Sequence, residues 1–215
     1  MSAPPLAVVF DCDGLLIDSE VRWAAAERRV VEGRGGAWLP ELREQMVGGS
    51  GDHTARCIAE WLGLPETAAP DILREVYTGY LAVLAELGVE PMQGAHSVVS
   101  AIAGRLPIAV ASNTREETVR ATLAASGLPA VFDLVVTPGD GRRPKPAPDV
   151  YLAACEALGV APGDAVAFED SPPGAAAARA AGMFVIAVPS DGIHTLEADL
   201  VLGSLLDLDL AVLGL

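Results

Sequence analysis

A chain of 215 residues with 51% apolar side chains can bury a sizeable core, as one large domain or as one domain carrying an insertion, and is not a disordered segment. A formal net charge of −15 repels nucleic-acid backbones and anionic lipid, so no nucleic-acid or membrane partner is expected. Cys12, Cys57 and Cys155 form no C-x-x-C pair and the three histidines are scattered, which argues against a zinc site or a disulfide framework and for a reduced, cytoplasmic setting.

The first element expected is a buried strand at 6–10, ending abruptly in Asp11-Cys12-Asp13-Gly14. No basic region precedes it and Asp11 interrupts it early, so it does not read as a signal peptide. From residue 18 to about residue 88 no strand-like run appears. Helical spacing is found instead at 19–31, 39–46, 54–62 and 69–87, with turn residues at 33–36, 48–51 and 63–65. A block of that length is too long for a simple crossover and is read as a helical insert between hinges near 16–19 and 88–94. Beyond it, strands at 107–111, 132–136, 165–168 and 183–188, and a weaker one at 200–202, alternate with helices at 94–104, 115–126, 148–158 and 173–181. The apolar stretch 175–188 contains Arg179 and Gly182 and is too short to span a bilayer, so a soluble protein is expected. Alternating strand and helix predicts an α/β fold, a Rossmann-like parallel sheet core with helices on both faces. The expected division is a core of 1–17 with 90–215 and a helical domain of 18–89.

In an open parallel sheet, ligands bind beyond the carboxyl ends of the strands. Asp11 and Asp13 follow the first strand here, and Ser112, Asn113 and Thr114 the second. The third leads through a loop to Lys145, and the fourth is followed by Glu169, Asp170 and Ser171. Carboxylates suit a hard cation such as Mg²⁺, while hydroxyl, backbone N–H and ammonium donors suit a phosphoryl group. Two carboxylates as close as Asp11 and Asp13 raise each other's pKa. A divalent cation removes that repulsion and keeps Asp11 ionised and nucleophilic, leaving Asp13 to hold a proton for the leaving group and later deprotonate water. Of 14 basic residues only Lys145 is lysine, which marks a place where a planar guanidinium does not substitute for a compact ammonium. Because the site carries excess negative charge, loss of that lysine is expected to cost rate and little stability.

The stretches VFDCDGLLIDSE, VASNT, RPKPAPDVY and AFEDSPPGAAAARAAGM closely resemble, in order and separation, the four successive motifs of the haloacid dehalogenase-like hydrolase superfamily. The likeness covers essentially the whole chain and is strongest to the branch of sugar-phosphate phosphatases and β-phosphoglucomutases. The resemblance makes the helical insert a cap and implies a route through an aspartyl-phosphate. Asp11 would attack phosphorus, and Asp13 would be general acid and then base. Mg²⁺ would be held by Asp11, Asp170 and the Asp13 carbonyl, with Glu169 binding directly or through water. Ser112, the N–H of Asn113 and Lys145 would hold the transferring phosphoryl group. One departure is Leu15, where many members have Thr or Val.

The expected substrate is a small phosphorylated metabolite such as a hexose, pentose or deoxysugar phosphate, or phosphoglycolate, acted on by a monomer or small homo-oligomer. Asp13 argues against a dehalogenase, and the absence of lysine from 18–90 argues against a phosphonatase. A β-phosphoglucomutase-like mutase is the alternative, although Gly51 stands where a mutase carries Arg and Trp23 where it carries His. A non-catalytic binding module is the third reading. Cap residues Trp23, Trp61 and Tyr77 are read as packing, Cys12 as a small buried residue, and His53 as a candidate substrate contact; His96 and His194 are given no role.

Overall fold

The computed structural model describes residues 4–46, 49–190 and 196–215. It divides the chain into two compact units, Met1–Asp18 with Glu90–Leu215, and Ser19–Val89. In chain order the elements are β1 (Ala7–Phe10), α1 (Glu20–Gly33), α2 (Pro40–Met46), α3 (Gly51–Trp61), α4 (Ala69–Leu87), α5 (Ala95–Ile102), β2 (Ile108–Ala111), α6 (Glu116–Ala125), β3 (Val135–Val136), α7 (Asp149–Leu158), β4 (Ala165–Glu169), α8 (Pro172–Ala181), β5 (Phe184–Ala187) and β6 (Leu200–Val201). No helix among the described residues is long and apolar enough to cross a membrane.

The six strands of the larger unit form one parallel sheet in the order β3-β2-β1-β4-β5-β6. The chain winds outward from β1 through β2 and β3, then returns to the other side of β1 for β4, β5 and β6. The winding direction therefore changes between β1 and β4, which makes their carboxyl ends the topological switch point. Continuous apolar runs suit these central strands because both faces are covered, and every residue of β1 and β4 is buried. Phe10 pairs with Val110 on one side and Phe168 on the other, so β1, β2 and β4 end within one residue of one another. The Phe10 and Phe168 rings stack at 5.1 Å, which ties the two central strands together below the site. In α8 the alanines at 175, 177 and 178 are buried, and their small side chains let the helix lie close to the sheet. The Ser171 hydroxyl accepts the Gly174 N–H and caps its start.

The third strand differs from the expected 132–136 and keeps only Val135 and Val136. It lies at the sheet edge with a single neighbour, and Phe132 turns its ring edge-on to Phe10 at 6.0 Å instead of extending the ladder.

The helical unit encloses its own core, in which Val31, Leu42, Ile58 and Ile72 are fully buried. Trp23 stacks on Tyr80 at 3.8 Å and meets Tyr77 edge-on, and the Trp61 indole N–H donates to the Ala37 carbonyl. All three aromatics read as packing residues make packing contacts within this unit. Helix α3 begins at Gly51 rather than 54 because the Ser50 hydroxyl accepts the His53 N–H, adding a turn at its start. The turn expected at 48–51 begins outside the described residues, as does His194. One acid is interred here: Glu27 is 4% exposed and pairs with Arg43 at 3.2 Å, while Arg43 also reaches Glu20.

Candidate active site

The site grows out of the ends of β1, β2 and β4. The Asp11 N–H donates to the Phe168 carbonyl at 3.0 Å, so Asp11 continues the line of β1 before the chain turns. The turn closes where Leu16 and Ile17 donate to the Cys12 carbonyl and Gly14 to the Ile17 carbonyl, and it carries Asp13 at its start. Gly14 has φ +84, and a Cβ there would run into the Asp170 carboxylate. Cys12 is fully buried, and burial together with Asp13 and Asp11 pushes its thiol up, so it stays protonated.

At the end of β2, the Ser112 hydroxyl accepts the Thr114 N–H at 3.0 Å, and the Thr114 hydroxyl donates to Asp13 Oδ2 at 2.9 Å. The Asn113 side chain clamps the Lys145 backbone from both sides. Its Oδ1 accepts the Lys145 N–H at 2.8 Å and its Nδ2 donates to the Lys145 carbonyl at 3.2 Å. The Lys145–Pro146 peptide is cis. Held in this way, Lys145 is 6% exposed, and its Nζ donates to Asp11 Oδ1, to Glu169 Oε1 at 2.6 Å and to the Ala111 carbonyl at 2.8 Å.

Glu169 is fully buried and its oxygens are engaged on both sides. Oε1 accepts from Lys145 and the Tyr151 hydroxyl; Oε2 accepts the Asp170 N–H and the Ser171 hydroxyl. A Cβ on Gly174 would overlap both oxygens, so the close approach of α8 requires glycine there. The Tyr151 ring also lies under the Lys145 ammonium, 4.9 Å from centroid to Nζ.

Three buried carboxylates face one buried ammonium, and the charge is unbalanced. Burial drives the Asp11 carboxyl well above the ordinary carboxylate range, with Lys145 pulling against it and Glu169 and Asp13 adding to it. Burial, Asp11 and Glu169 likewise raise Asp170. Burial works against the Lys145 charge, but the Asp11 and Glu169 carboxylates outweigh it and hold the ammonium protonated. Asp11, Glu169 and Asp170 each offer an oxygen within 4.8 Å of the others. That hard, oxygen-only donor set with surplus negative charge fits a divalent cation.

Asp11, Asp13, Ser112, Asn113, Lys145, Glu169 and Asp170, all singled out from the sequence, thus come together at one sheet edge. His53 belongs to the helical unit, where its Nε2 lies 2.8 Å from the Gln45 carbonyl. One expectation changes. Lys145 carries the counter-charge of two interred carboxylates, so its loss is now expected to cost stability as well as rate. Three side-chain roles also went unread: Thr114 on Asp13, the Asn113 amide on the Lys145 backbone, and Tyr151 on Glu169. All three lie inside the motifs, but their polar ends act on other motifs rather than at a recognisable spacing.

Interred carboxylates, an ammonium and hydroxyl donors at the switch point of a doubly wound sheet are the equipment of an α/β enzyme that acts on an anionic ester. The comparisons agree. The profile of the haloacid dehalogenase-like hydrolases matches residues 5–182. Fructose-1-phosphate phosphatase YqaB of Escherichia coli is 33% identical over 181 residues, covering 84% of this chain and 95% of its own. CbbY from Rhodobacter sphaeroides, solved in complex with phosphate, has a TM-score of 0.84 at 31% identity, over 98% of this chain and 100% of that one. A mutant of the same protein in complex with xylulose-1,5-bisphosphate has a TM-score of 0.81 at 29% identity, over 97% and 99%. The chain belongs to the haloacid dehalogenase-like hydrolase family, and within it is a phosphoric monoester hydrolase.

Proposed function

We propose that this enzyme is a Mg²⁺-dependent phosphatase of a small phosphorylated metabolite, a sugar phosphate, working through phosphate carried on Asp11. The observation that carries the proposal is the buried Asp11 carboxylate, held by Lys145 beside Asp170 and Glu169, with Asp13 on the turn that follows. In the first step an Asp11 oxygen bonds to phosphorus, the ester P–O bond breaks, and Asp13 gives its proton to the departing oxygen. In the second, Asp13 takes a proton from water, whose oxygen bonds to phosphorus as the Asp11–phosphorus bond breaks. Ser112 uses its oxygen to accept from Thr114, which leaves its O–H to donate to a phosphoryl oxygen beside the Asn113 N–H. Lys145 supplies positive charge to the same group and is kept in place by the Asn113 amide and Glu169. Asp11, Asp170 and the Asp13 carbonyl would hold Mg²⁺, which when bound neutralises charge on the carboxylates and the phosphoryl oxygens. Glu169, with its oxygens already engaged, is proposed to act by holding Lys145.

Substrate class is drawn from the relatives, which include a fructose-1-phosphate phosphatase and a protein solved with a sugar bisphosphate. Selection among sugar phosphates is assigned to the helical unit, with His53 as its candidate contact. A mutase, the alternative reading, is disfavoured by the surroundings of Gly51. A Cβ there would meet Leu73 Cδ1 and the Tyr77 hydroxyl at 2.9 Å each, so the arginine a mutase would carry requires those two side-chain ends to shift. The test is phosphate release from a panel of hexose, pentose and deoxysugar phosphates and phosphoglycolate, with Mg²⁺ and with EDTA. Turnover of one or more sugar phosphates, lost in EDTA, is expected; interconversion of sugar phosphates without phosphate release would overturn the proposal.

A further inference from the structure

We infer that Thr114 is a positioning residue for Asp13, fixing the plane of its carboxyl group for proton transfer to the leaving oxygen. The inference rests on the phosphatase reading above and deepens it.

The hydroxyl of Thr114 donates to Asp13 Oδ2 at 2.9 Å across a sequence separation of 101 residues. An aspartate has no strong preference at its last torsion, because rotation about an sp³–sp² bond is broad and roughly two-fold. The carboxyl plane must therefore be set by its partners, and a bond to one oxygen sets the direction in which the other acts. Asp11 has such a partner in the Lys145 ammonium. Asp13 sits on a turn and is partly exposed, so its orientation depends on local donors. Thr114 is itself well anchored: its N–H donates to the Ser112 hydroxyl, and α6 begins two residues later. The hydroxyl is thus delivered to Asp13 from the short link between β2 and α6.

The chemistry makes orientation matter for some substrates more than others. When the Asp11 oxygen bonds to phosphorus and the ester P–O bond breaks, the electron pair of that bond goes to the departing oxygen. The proton from Asp13 neutralises it. A nitrophenolate carries the negative charge unaided, whereas a phenolate, and still more a sugar alkoxide, needs the proton as the bond breaks. A misdirected Asp13 therefore slows poor leaving groups more than good ones. A role in holding the fold would slow all esters alike.

The test compares wild type, Thr114→Val and Thr114→Ser by kcat/KM on p-nitrophenyl phosphate and phenyl phosphate, with melting curves for each. General acid catalysis by a well-placed carboxyl contributes on the order of 10²–10⁴, so loss of its alignment in Thr114→Val should cost phenyl phosphate at least about fivefold more than p-nitrophenyl phosphate. Thr114→Ser, which keeps the hydroxyl, should restore the wild-type ratio between the two esters. Equal losses on both esters, or a Ser variant that behaves as the Val variant does, would overturn the inference while leaving the phosphatase reading intact. A wild-type enzyme that releases phosphate from neither these esters nor any sugar phosphate would overturn that reading and the inference with it.

Discussion

Replacing Lys145 by alanine should destabilise the enzyme as well as disable it. The ammonium donates to Asp11, to Glu169 at 2.6 Å and to the Ala111 carbonyl at 2.8 Å. Asp11 is 8% exposed and Glu169 fully buried, so alanine strands two carboxylates away from water with no counter-charge. Breaking a buried pair by removing one partner ordinarily costs about 3–5 kcal/mol. At about 2–4 °C per kcal/mol for a chain of this size, the melting temperature in EDTA should fall by roughly 6–20 °C. Added Mg²⁺ should recover more of that loss in the alanine variant than it adds to wild type, because a cation shares the same carboxylates. Lys145→Arg keeps the charge but puts a broad, planar guanidinium among partners spaced for an ammonium. It should lose at least about tenfold in kcat/KM, or roughly 1.4 kcal/mol of transition-state binding. Thermal melts with EDTA and with Mg²⁺, beside steady-state kinetics, measure all of this. An alanine variant melting within about 1 °C of wild type in EDTA would show that the ammonium does not carry the buried charge. Wild-type kinetics in the arginine variant would refute the argument from shape.

Asp13→Asn should lose on the order of 10²–10⁴ in kcat, and full activity in steady-state assays would remove Asp13 from proton transfer. Gly14→Ala forces an L side chain into φ +84 and its Cβ into the Asp170 carboxylate. Moving Asp170, a proposed metal ligand, should raise the Mg²⁺ needed for half-maximal phosphate release by about 10–100-fold, and an unchanged Mg²⁺ titration would contradict that proposed role. Glu27, in the helical unit, tests the cost of interred charge away from the site. Burial raises its carboxyl above the ordinary 4.5, with Arg43 opposing and Glu20 adding. The folded state therefore keeps a proton that the unfolded chain gives up, and the Glu27 contribution falls as pH rises from about 4.5 through the folded value. Melting temperatures of Glu27→Gln relative to wild type should shift in favour of the variant between pH 4 and pH 7; a constant difference would show that Glu27 titrates normally.

The alternation of strand and helix was legible because fully buried parallel strands leave continuous apolar runs, and 7–10 and 165–168 carry no polar residue. The candidate site was legible because the sheet gathers its strand ends, so residues following each run could be read as neighbours before any contact was known. The third strand was not, since an edge strand with one partner is held by what its side chains find, and Phe132 finds Phe10. Nor were the links that set each group's orientation. That Thr114 reaches Asp13, or that the Asn113 amide grips the Lys145 backbone, depends on side-chain torsions and loop paths that leave no periodic trace. The stabilising side of Lys145 was not legible for the same reason. Its charge was plain in the sequence, whereas its burial between Asp11 and Glu169 belongs to the fold.

The central claim is that phosphate passes through Asp11, and its most direct test is to trap the acyl phosphate. The enzyme would be mixed with Mg²⁺ and a sugar phosphate it turns over, quenched within a single turnover into hydroxylamine, and its peptides mapped by mass spectrometry. A hydroxamate on Asp11, absent without substrate and absent from an Asp11→Asn variant with less than a few per cent of wild-type turnover, is the result predicted. Product formation with Asp11 unmodified, together with substantial turnover by Asp11→Asn, would contradict it.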